Sequence, residues 1–231
     1  MIPRIGDEGQ MKLSRSSVLV AGAGGLGSPA LTCLAAAGVG RIGIADSDTV
    51  EISNLNRQFL FCIDDIGRPK AGSARDRLLR MNNQIGIEAF NDHLTELNAE
   101  KIIAGYDFVI GAVDSFRTRF AINRACVSLN IPYADGGVRD FSGHALFSFP
   151  PQTPCLNCVF PAKSGKPEKH GVIGTVTGVV GTMLANIALA HLLGLPNHAA
   201  NKLLLYDGLR MGIDQIEIKR NDKCPVCGRF R

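Results

Sequence analysis

The chain has 231 residues, of which 45% are hydrophobic and 20% are charged. These proportions are those of an ordinary globular protein and exclude disordered and collagen-like chains. The formal net charge of +4 is spread along the sequence rather than gathered in a basic arm, which argues against a nucleic-acid partner. Since no amino-terminal segment resembles a signal peptide, we expect a cytoplasmic protein.

The amino-terminal half alternates between apolar runs and helical patterns. After a polar lead-in with a short helical pattern at Asp7–Lys12, the predicted strands are Ser17–Ala21, Arg41–Ala45, Ile85–Phe90, Tyr106–Ala112 and Ile131–Asp135. The predicted helices are Gly25–Ala37, Ala71–Met81, Asn98–Ala104 and Phe116–Leu129, and an irregular polar segment covers Ser47–Lys70. Strands that alternate with helices predict a Rossmann-like, doubly wound α/β sheet that is mostly parallel and binds ligands at the carboxyl ends of its strands.

A glycine-rich turn joins the first predicted strand to the first predicted helix. Gly22, Gly24 and Gly27 have the G-x-G-x-x-G spacing that brings a helix N-terminus and its free N–H groups to a phosphate. The second strand ends at Asp46, roughly 20 residues further on, where a carboxylate can bond a ribose hydroxyl. The motif alone is also compatible with a turn that binds nothing. Its context favours an adenine nucleotide but leaves open which one.

The polar segment after Asp46 bears on the nucleotide chemistry. Arg57 and Lys70 stand close to where phosphates would project, and such cations stabilise charge that develops on a phosphoryl group. Asp114, at the carboxyl end of another strand, is a suitable oxygen ligand for Mg²⁺. A nicotinamide-dependent oxidoreductase stays an alternative, although it would leave these cations unexplained. Taken singly, Arg57 and Lys70 would more often be solvated surface residues.

The carboxyl-terminal half lacks the regular alternation of strand and helix patterns. We predict antiparallel strands at Phe141–Phe149, Lys202–Tyr206 and Met211–Ile218, and a basic surface loop at Pro161–Gly171. Val172–Leu193 contains no charged residue and is long enough to span a membrane. Polar side chains dilute it, and a parallel sheet needs covering helices, so we predict a buried helix and no membrane span.

Two C-x-x-C pairs indicate a metal site. Cys155 and Cys158 precede the basic loop, and Cys224 and Cys227 lie in the tail. Four thiolates are the ligand set of structural, tetrahedral zinc. Because the pairs are far apart in the sequence, the metal would staple the tail to the body. A redox role for either pair is the alternative, which a reducing compartment disfavours.

These residues resemble the ThiF/MoeB/HesA family, the prokaryotic relatives of ubiquitin-activating enzymes, over nearly the whole chain. The resemblance rests on these segments: Gly22–Pro29, Ala36–Gly40, Asp46–Glu51, Ser53–Gln58, Gly67–Lys70, Asp114 with Arg119, and both cysteine pairs. It implies one adenylating domain over 1–231, with a nucleotide-binding half at 1–140 and a carrier-binding and zinc-binding half at 141–231. It also implies a homodimer that uses ATP, Mg²⁺ and Zn²⁺ to adenylate the carboxyl-terminal glycine of a small ubiquitin-like sulfur carrier protein. An external sulfur donor would follow, in thiamin or molybdopterin biosynthesis.

The same resemblance implies roles for individual residues. Arg57, Lys70 and Asp114 would be catalytic, as the carrier's carboxylate attacks the α-phosphorus of ATP and pyrophosphate leaves. Asp46 would hold the ribose, Asp114 the Mg²⁺, and the four cysteines the zinc. The implied nucleotide-binding residues are Gly22, Gly24, Gly25, Gly27, Asp46, Asn54, Arg57, Gln58, Lys70 and Asp114.

Three positions depart from the family pattern. Where relatives usually begin with an Arg-Tyr-x-Arg segment whose arginine reaches the partner subunit's site, this sequence offers only Arg4. A non-catalytic nucleotide-binding homologue therefore stays an alternative. Ser115 replaces the usual Asn after the metal-site Asp, and Pro167 stands near the position where many relatives have a cysteine. The remaining cysteines, Cys33, Cys62 and Cys126, lie in apolar surroundings, so we predict no thioester on this chain.

Overall fold

A computed structural model of the chain describes residues 5–160 and 171–228. The strands are β1 (Ser17–Ala21), β2 (Arg41–Ala45), β3 (Gly86–Phe90), β4 (Phe108–Gly111), β5 (Tyr133–Arg139), β6 (Ser142–Ser148), β7 (Lys202–Asp207) and β8 (Gly212–Glu217). The helices are α1 (Gly6–Arg15), α2 (Gly27–Ala36), α3 (Lys70–Met81), α4 (Ala99–Ile103), α5 (Phe116–Leu129), α6 (Leu156–Val159) and α7 (Gly174–Leu192). Two short 3-10 turns, Ile52–Asn54 and Ile63–Asp65, lie in the predicted irregular segment.

All eight strands form one sheet, in the order β3-β2-β1-β4-β5-β6-β7-β8. The pairs from β3 to β5 are parallel, and the pairs from β5 to β8 are antiparallel. The predicted fold class is confirmed. Because β2 and β4 flank β1 on opposite sides, the chain order reverses there and leaves a crevice at the carboxyl ends of β1 and β4.

The sheet is covered on both faces, which explains why its central strands are uninterrupted apolar runs. All residues of β1 and β4 are buried. On one face Leu31 of α2 packs in the same core as Leu184 of α7, and on the other Ile103 of α4 packs with Ile122 of α5. The site edge therefore stands on a rigid, two-sided core.

The largest boundary difference lies in β5. The sequence predicts a strand that ends at Asp135, but β5 continues to Arg139. The added residues pair antiparallel with β6, with Gly137 opposite His144. Since this extension depends on a long-range partner, no local pattern shows it.

Helix α7 is the one helix among residues 5–160 and 171–228 that is long and apolar enough to cross a membrane. Core helices of soluble proteins meet the same criterion, and α7 packs closely on α2. A Cβ placed on Gly181 would stand 2.3 Å from the carbonyl oxygen of Leu26. The predicted buried helix is thus found for one face, whereas the other face borders a groove. The predicted basic loop falls outside the described residues except for Gly171.

Candidate nucleotide and metal sites

The glycine loop is pressed between β1 and the segment after β4. Gly22 has a φ of +94°, and a Cβ there would stand 2.5 Å from the carbonyl oxygen of Ala112. A Cβ on Gly27 would stand 1.8 Å from the carbonyl oxygen of Gly22. Both positions admit only glycine, which keeps the start of α2 tightly against β1. The predicted strand-turn-helix geometry is present.

Gln58 lies directly over this loop. Its Nε2 would be 3.6 Å from a Cβ on Gly24, and the residue is buried, with 4% of its surface exposed. Its Oε1 has no hydrogen-bond partner within the described part of the chain. A buried amide oxygen without a donor is costly, so this atom marks a place where a ligand or water donor belongs. The residues around the loop fit a bound nucleotide in this respect.

Asp46 is joined to the loop by its carboxylate. Oδ2 accepts the Ala23 N–H at 2.7 Å, and Oδ1 accepts the Asp48 N–H at 2.9 Å. Burial raises the pKa of Asp46, while both N–H groups oppose that rise. Asp46 therefore fixes the loop and stands at the crevice where the sequence predicts a ribose contact.

Lys70 is held at the same edge by Asp48, for which no individual role was predicted. Its Nζ lies 3.0 Å from Oδ2 of Asp48, and its side chain is 7% exposed against 59% for Asp48. The Lys70 N–H also donates to the Asp48 carbonyl, at 2.9 Å. Asp48 thereby links the Asp46 carboxylate to the buried ammonium group. The D-x-D spacing was the available signal.

Arg57 and Asn54 belong to the segment opposite the loop. Buried Asn54 accepts the Glu51 N–H through Oδ1 at 3.1 Å. The Arg57 guanidinium donates to the Ser53 carbonyl and to Oδ1 of Asn56, both at 2.9 Å. These local bonds set the direction of Arg57, which stays partly exposed. They leave its other N–H groups for an anion.

The start of α7 closes this side of the crevice. A Cβ on Gly174 would stand 2.6 Å from the Asn56 carbonyl oxygen, and a Cβ on Gly25 would stand 3.0 Å from Cγ2 of Thr177. The Thr177 hydroxyl donates to the Gly174 carbonyl at 2.7 Å. The glycine loop, the Arg57 segment and α7 therefore meet at one point.

Asp114 stands just beyond β4, at the entrance to α5. Its side chain is exposed, and among the described residues it has no ion pair or side-chain hydrogen bond. Ser115 caps α5, since its Oγ accepts the Thr118 N–H at 3.5 Å. An exposed, uncommitted carboxylate suits a hard cation such as Mg²⁺. The structure therefore leaves the predicted magnesium ligand available.

A buried polar network lies behind Asp114 and was not predicted. The Arg119 guanidinium binds the Asp135 carboxylate through two hydrogen bonds, one of them at 2.9 Å. The Tyr133 hydroxyl donates to Asp135 at 2.7 Å, and Arg119 Nη2 lies 2.7 Å from His144 Nε2. Burial opposes the ionisation of Asp135, yet Arg119 holds the pKa of Asp135 below its ordinary value. The sequence flagged Arg119 only as part of a family motif.

The four predicted zinc ligands converge beside α5, where three of them share a buried cluster with Val127. Their Sγ atoms all lie within 4.8 Å of one another, with Cys155–Cys224 at 3.6 Å and Cys158–Cys227 at 3.4 Å. Zn–S bonds of about 2.3 Å in a tetrahedron place sulfurs about 3.8 Å apart. The cysteine cluster, as we call these four residues, therefore has the geometry and the chemistry for one zinc ion.

The profile of the ThiF family matches residues 1–226 of this chain. The chain belongs to the ThiF family. It is 43% identical to a sulfur carrier protein adenylyltransferase of Thermus thermophilus, over 99% of this chain and 88% of that protein. It is 39% identical to the sulfur carrier protein ThiS adenylyltransferase of Escherichia coli, over 96% of this chain and 89% of the relative.

The fold of the ThiF-family chain also matches solved structures. MccB of Escherichia coli, in crystals with AMPCPP and MccA, superposes with a TM-score of 0.87 at 25% identity. The match covers 95% of this chain and 68% of MccB. The predicted enzyme class, an adenylyltransferase, is confirmed by the named relatives. The individual site residues stay predictions.

Proposed function

We propose that this chain adenylates the carboxyl-terminal glycine of a small ubiquitin-like sulfur carrier protein, using ATP. The observation that carries the proposal is the convergence of the glycine loop, buried Lys70 and the Arg57 segment at one sheet edge. The names of the relatives support a carrier of the ThiS/MoaD type. We place the reaction in sulfur transfer for thiamin or molybdopterin biosynthesis, with an external sulfur donor, in the cytoplasm.

The chemistry asks the protein for orientation and charge. An oxygen of the carrier's terminal carboxylate forms a bond to the α-phosphorus of ATP. The bond from that phosphorus to the oxygen that bridges the α- and β-phosphates breaks. Pyrophosphate leaves with the bonding electron pair. Arg57 and Lys70 stabilise the charge that develops on the phosphoryl oxygens. Mg²⁺ supplies further phosphate shielding when bound, and Asp114 is the residue that would hold it.

The cysteine cluster has a separate task in this proposal. Four thiolates would hold Zn²⁺ and leave no open coordination position, so the centre is structural. Cys155 and Cys227 are buried. Burial raises the pKa of Cys227 to about 11, and a divalent cation is the partner that favours the thiolate. The centre fastens residues 224–227 to the body.

A second copy of the chain is the partner that the outer face of α7 supports. This face borders a groove of about 670 Å³ between α7 and the last strands. Its described lining includes no Lys, Arg, Asp or Glu, and its large apolar members are Val179, Met183, Ile187, Leu204 and Ile213. Such an uncovered face is typical of an interface. Sedimentation should give a dimer for the wild type and a monomer for Met183→Lys.

Carrier-stimulated exchange of pyrophosphate into ATP tests the function. We expect exchange with one or more Gly-Gly-ended carriers from a panel, and none with the same carrier lacking its last glycine. ATP binding without exchange for any carrier would indicate a non-catalytic homologue. Nicotinamide-dependent hydride transfer would indicate an oxidoreductase instead.

A further inference from the structure

We propose that Asn123 is a positioning residue that ties the cysteine cluster to the end of α5 beside Asp114. The role of that helix end as the magnesium-ligand position depends on the proposed function. The mechanical link itself does not, because it follows from the contacts of α5 alone.

Asn123 joins α5 to the first cysteine knuckle, residues 155–160. The residue is fully buried. Its Nδ2 donates to Oδ1 of Asn157 at 2.9 Å, and its Oδ1 accepts the Leu156 N–H at 3.0 Å. Both bonds reach the short helix α6, which carries the residues between Cys155 and Cys158. A buried amide used at both ends fixes the distance and the rotation between helix and knuckle.

Asn123 stands in the middle of one stripe on α5. Residues four apart in a helix share a face, and this face carries Ser115, Arg119, Asn123 and Val127. Val127 packs in the same buried cluster as three of the cysteines. Arg119 binds the buried Asp135, and Ser115 caps the helix directly after Asp114. The stripe therefore runs from the thiols to the crevice.

Phe160 provides a second contact between the knuckle and this stripe. Its ring centroid lies 6.3 Å from that of Phe116 and 5.2 Å from that of His144. The Arg119 guanidinium lies 5.7 Å from the Phe160 ring centre. The knuckle thus contacts α5 at its middle and at its first turn.

Opening the cysteine cluster should loosen both contacts. If the knuckle moves, Asn123 loses its partners and leaves buried polar groups unpaired, a state that the helix can relieve only by shifting or fraying. The first turn of α5 is attached to residues 112–113, which touch Gly22. Metal occupancy and the order of the Asp114 end are therefore coupled through Asn123.

Amide hydrogen exchange on the zinc-loaded full chain tests the link without any need for activity. In wild type, removal of zinc by a chelator should raise exchange at residues 112–118 about fivefold or more, the lower end of typical coupling between sites. Asn123→Ala should raise exchange there before zinc is removed, and chelation should then add little. Ser128→Ala, an exposed position on the same helix, should behave like wild type.

Asn157→Ala is the milder variant, since Asn157 is only partly buried and the backbone bond to Leu156 remains. It should show the same effect at smaller size and should release zinc to the chelator faster than wild type. In an active protein, kcat for pyrophosphate exchange should fall while KM for ATP changes little.

Two results would overturn the proposal. One is unchanged exchange at residues 112–118 in both Asn variants. The other is an undiminished response to chelation in Asn157→Ala and in Asn123→Ala. Should the chain prove unable to adenylate any carrier, the hydrogen-exchange result would still decide the link, so the two failures are distinguishable.

Discussion

The sheet edge that carries the glycine loop, Asp46 and Lys70, which we call the nucleotide edge, and the cysteine cluster are built in opposite ways. At the nucleotide edge, backbone groups fix the side chains: Asp46 is held by the N–H groups of Ala23 and Asp48. In the cysteine cluster, side chains from residues 155–158 and 224–227 converge, and the sulfurs themselves form the junction. The first site needs only the buried strands below it. In the proposed function, a zinc ion joins the two parts of the second site.

This difference predicts different responses to substitution. Removing the Lys70 or Arg57 side chain takes away charge but leaves the glycine loop, because the strands, the glycines and Asp46 hold it. Removing one thiol weakens the attachment of a whole segment. The buried Arg119–Asp135 pair lies between the two regions. Removing its cation takes away a charge and also leaves a buried group without its partner, so we expect the largest loss of stability here.

Arg119→Met should destabilise the protein by about 3–5 kcal/mol, because it leaves the fully buried Asp135 carboxylate without its cation. Urea unfolding measures the change. The matched control is Arg124→Met on the same helix, where the exposed arginine pairs with exposed Glu96. That change should cost at most about 1 kcal/mol. Equal losses of stability in the two variants would contradict the importance of the buried Arg119–Asp135 pair.

Cys224→Ser should abolish zinc retention and remove the stabilisation that the ion provides. An ion at about a thousandfold excess over its dissociation constant contributes about 4 kcal/mol of stability. Thermal unfolding with and without a chelator measures this, together with metal content. Cys33→Ser, outside the cluster, is the control and should keep one zinc per chain. Metal-free wild type with unchanged melting would refute a structural zinc.

Lys70→Ala should lower adenylation about a hundredfold or more, since a single electrostatic donor in such a site is worth about 3 kcal/mol. Arg57→Ala should behave alike. The fold should persist, because the loop does not depend on either side chain. Arg80→Ala, an exposed arginine on the same helix as Lys70, is the control. Exchange rates near wild type would exclude Lys70 and Arg57 from the phosphate site.

The sequence was sufficient to predict the bounds of two buried strands and of one capped helix. β1, β2 and α5 have the predicted bounds, because an apolar run ended by glycine or Asp and a capped helical pattern are local signals. The extension of β5 was missed, since Gly136 and Gly137 resemble a turn until β6 lies beside them. A strand that depends on its neighbour has no local signature.

In the candidate site, too, local sequence features were predicted and contacts between distant residues were not. Motif spacing predicted that the glycine loop and Asp46 share one sheet edge and that the four cysteines converge, and both groups are together in the structure. The ligand roles of these residues and of Lys70 stay predictions. Motif spacing did not predict that Asp48 would pair with Lys70. The contact between Arg119 and His144 depends on the β5–β6 register, which no spacing in the sequence expresses.

A smaller, pH-dependent effect is expected at His191 on α7. Its ring lies 5.5 to 5.6 Å from the rings of Phe108, Phe147 and Phe149. Burial lowers the pKa of His191, so the folded state disfavours the imidazolium. The stability that neutral His191 contributes to the folded state is therefore present above the unfolded-state pKa of about 6.5. It is lost as the pH falls below that value and the unfolded state takes up a proton more readily.

His191→Gln should therefore flatten the dependence of unfolding free energy on pH in the interval below about 6.5. Urea unfolding over this interval measures the slope. His198→Gln is the matched control, because it removes an exposed histidine that lies outside this group of rings. A slope that is identical in wild type and His191→Gln would show that His191 is not the titrating group.

The smallest expected effect is none at all: the chain should form no thioester or acyl disulfide with its carrier. A covalent sulfur intermediate needs an accessible thiolate near the adenylate. Four cysteines form the cluster, and burial raises the pKa of Cys126 on α5 far above its ordinary range. Cys33 is half-buried on α2, with its side chain against the core.

Cys62 is the one remaining thiol, and its contacts make it the sharpest test. Its Sγ lies 3.0 Å from the Arg77 guanidinium and 3.3 Å from the Asp65 carboxylate. The Asp65 carboxylate also accepts the Cys62 backbone N–H at 3.0 Å, which fastens the residue within its turn. Intact mass spectrometry after reaction with carrier and ATP should show no conjugate. A conjugate that is cleaved by thiol reductant and absent in Cys62→Ala would prove this prediction wrong.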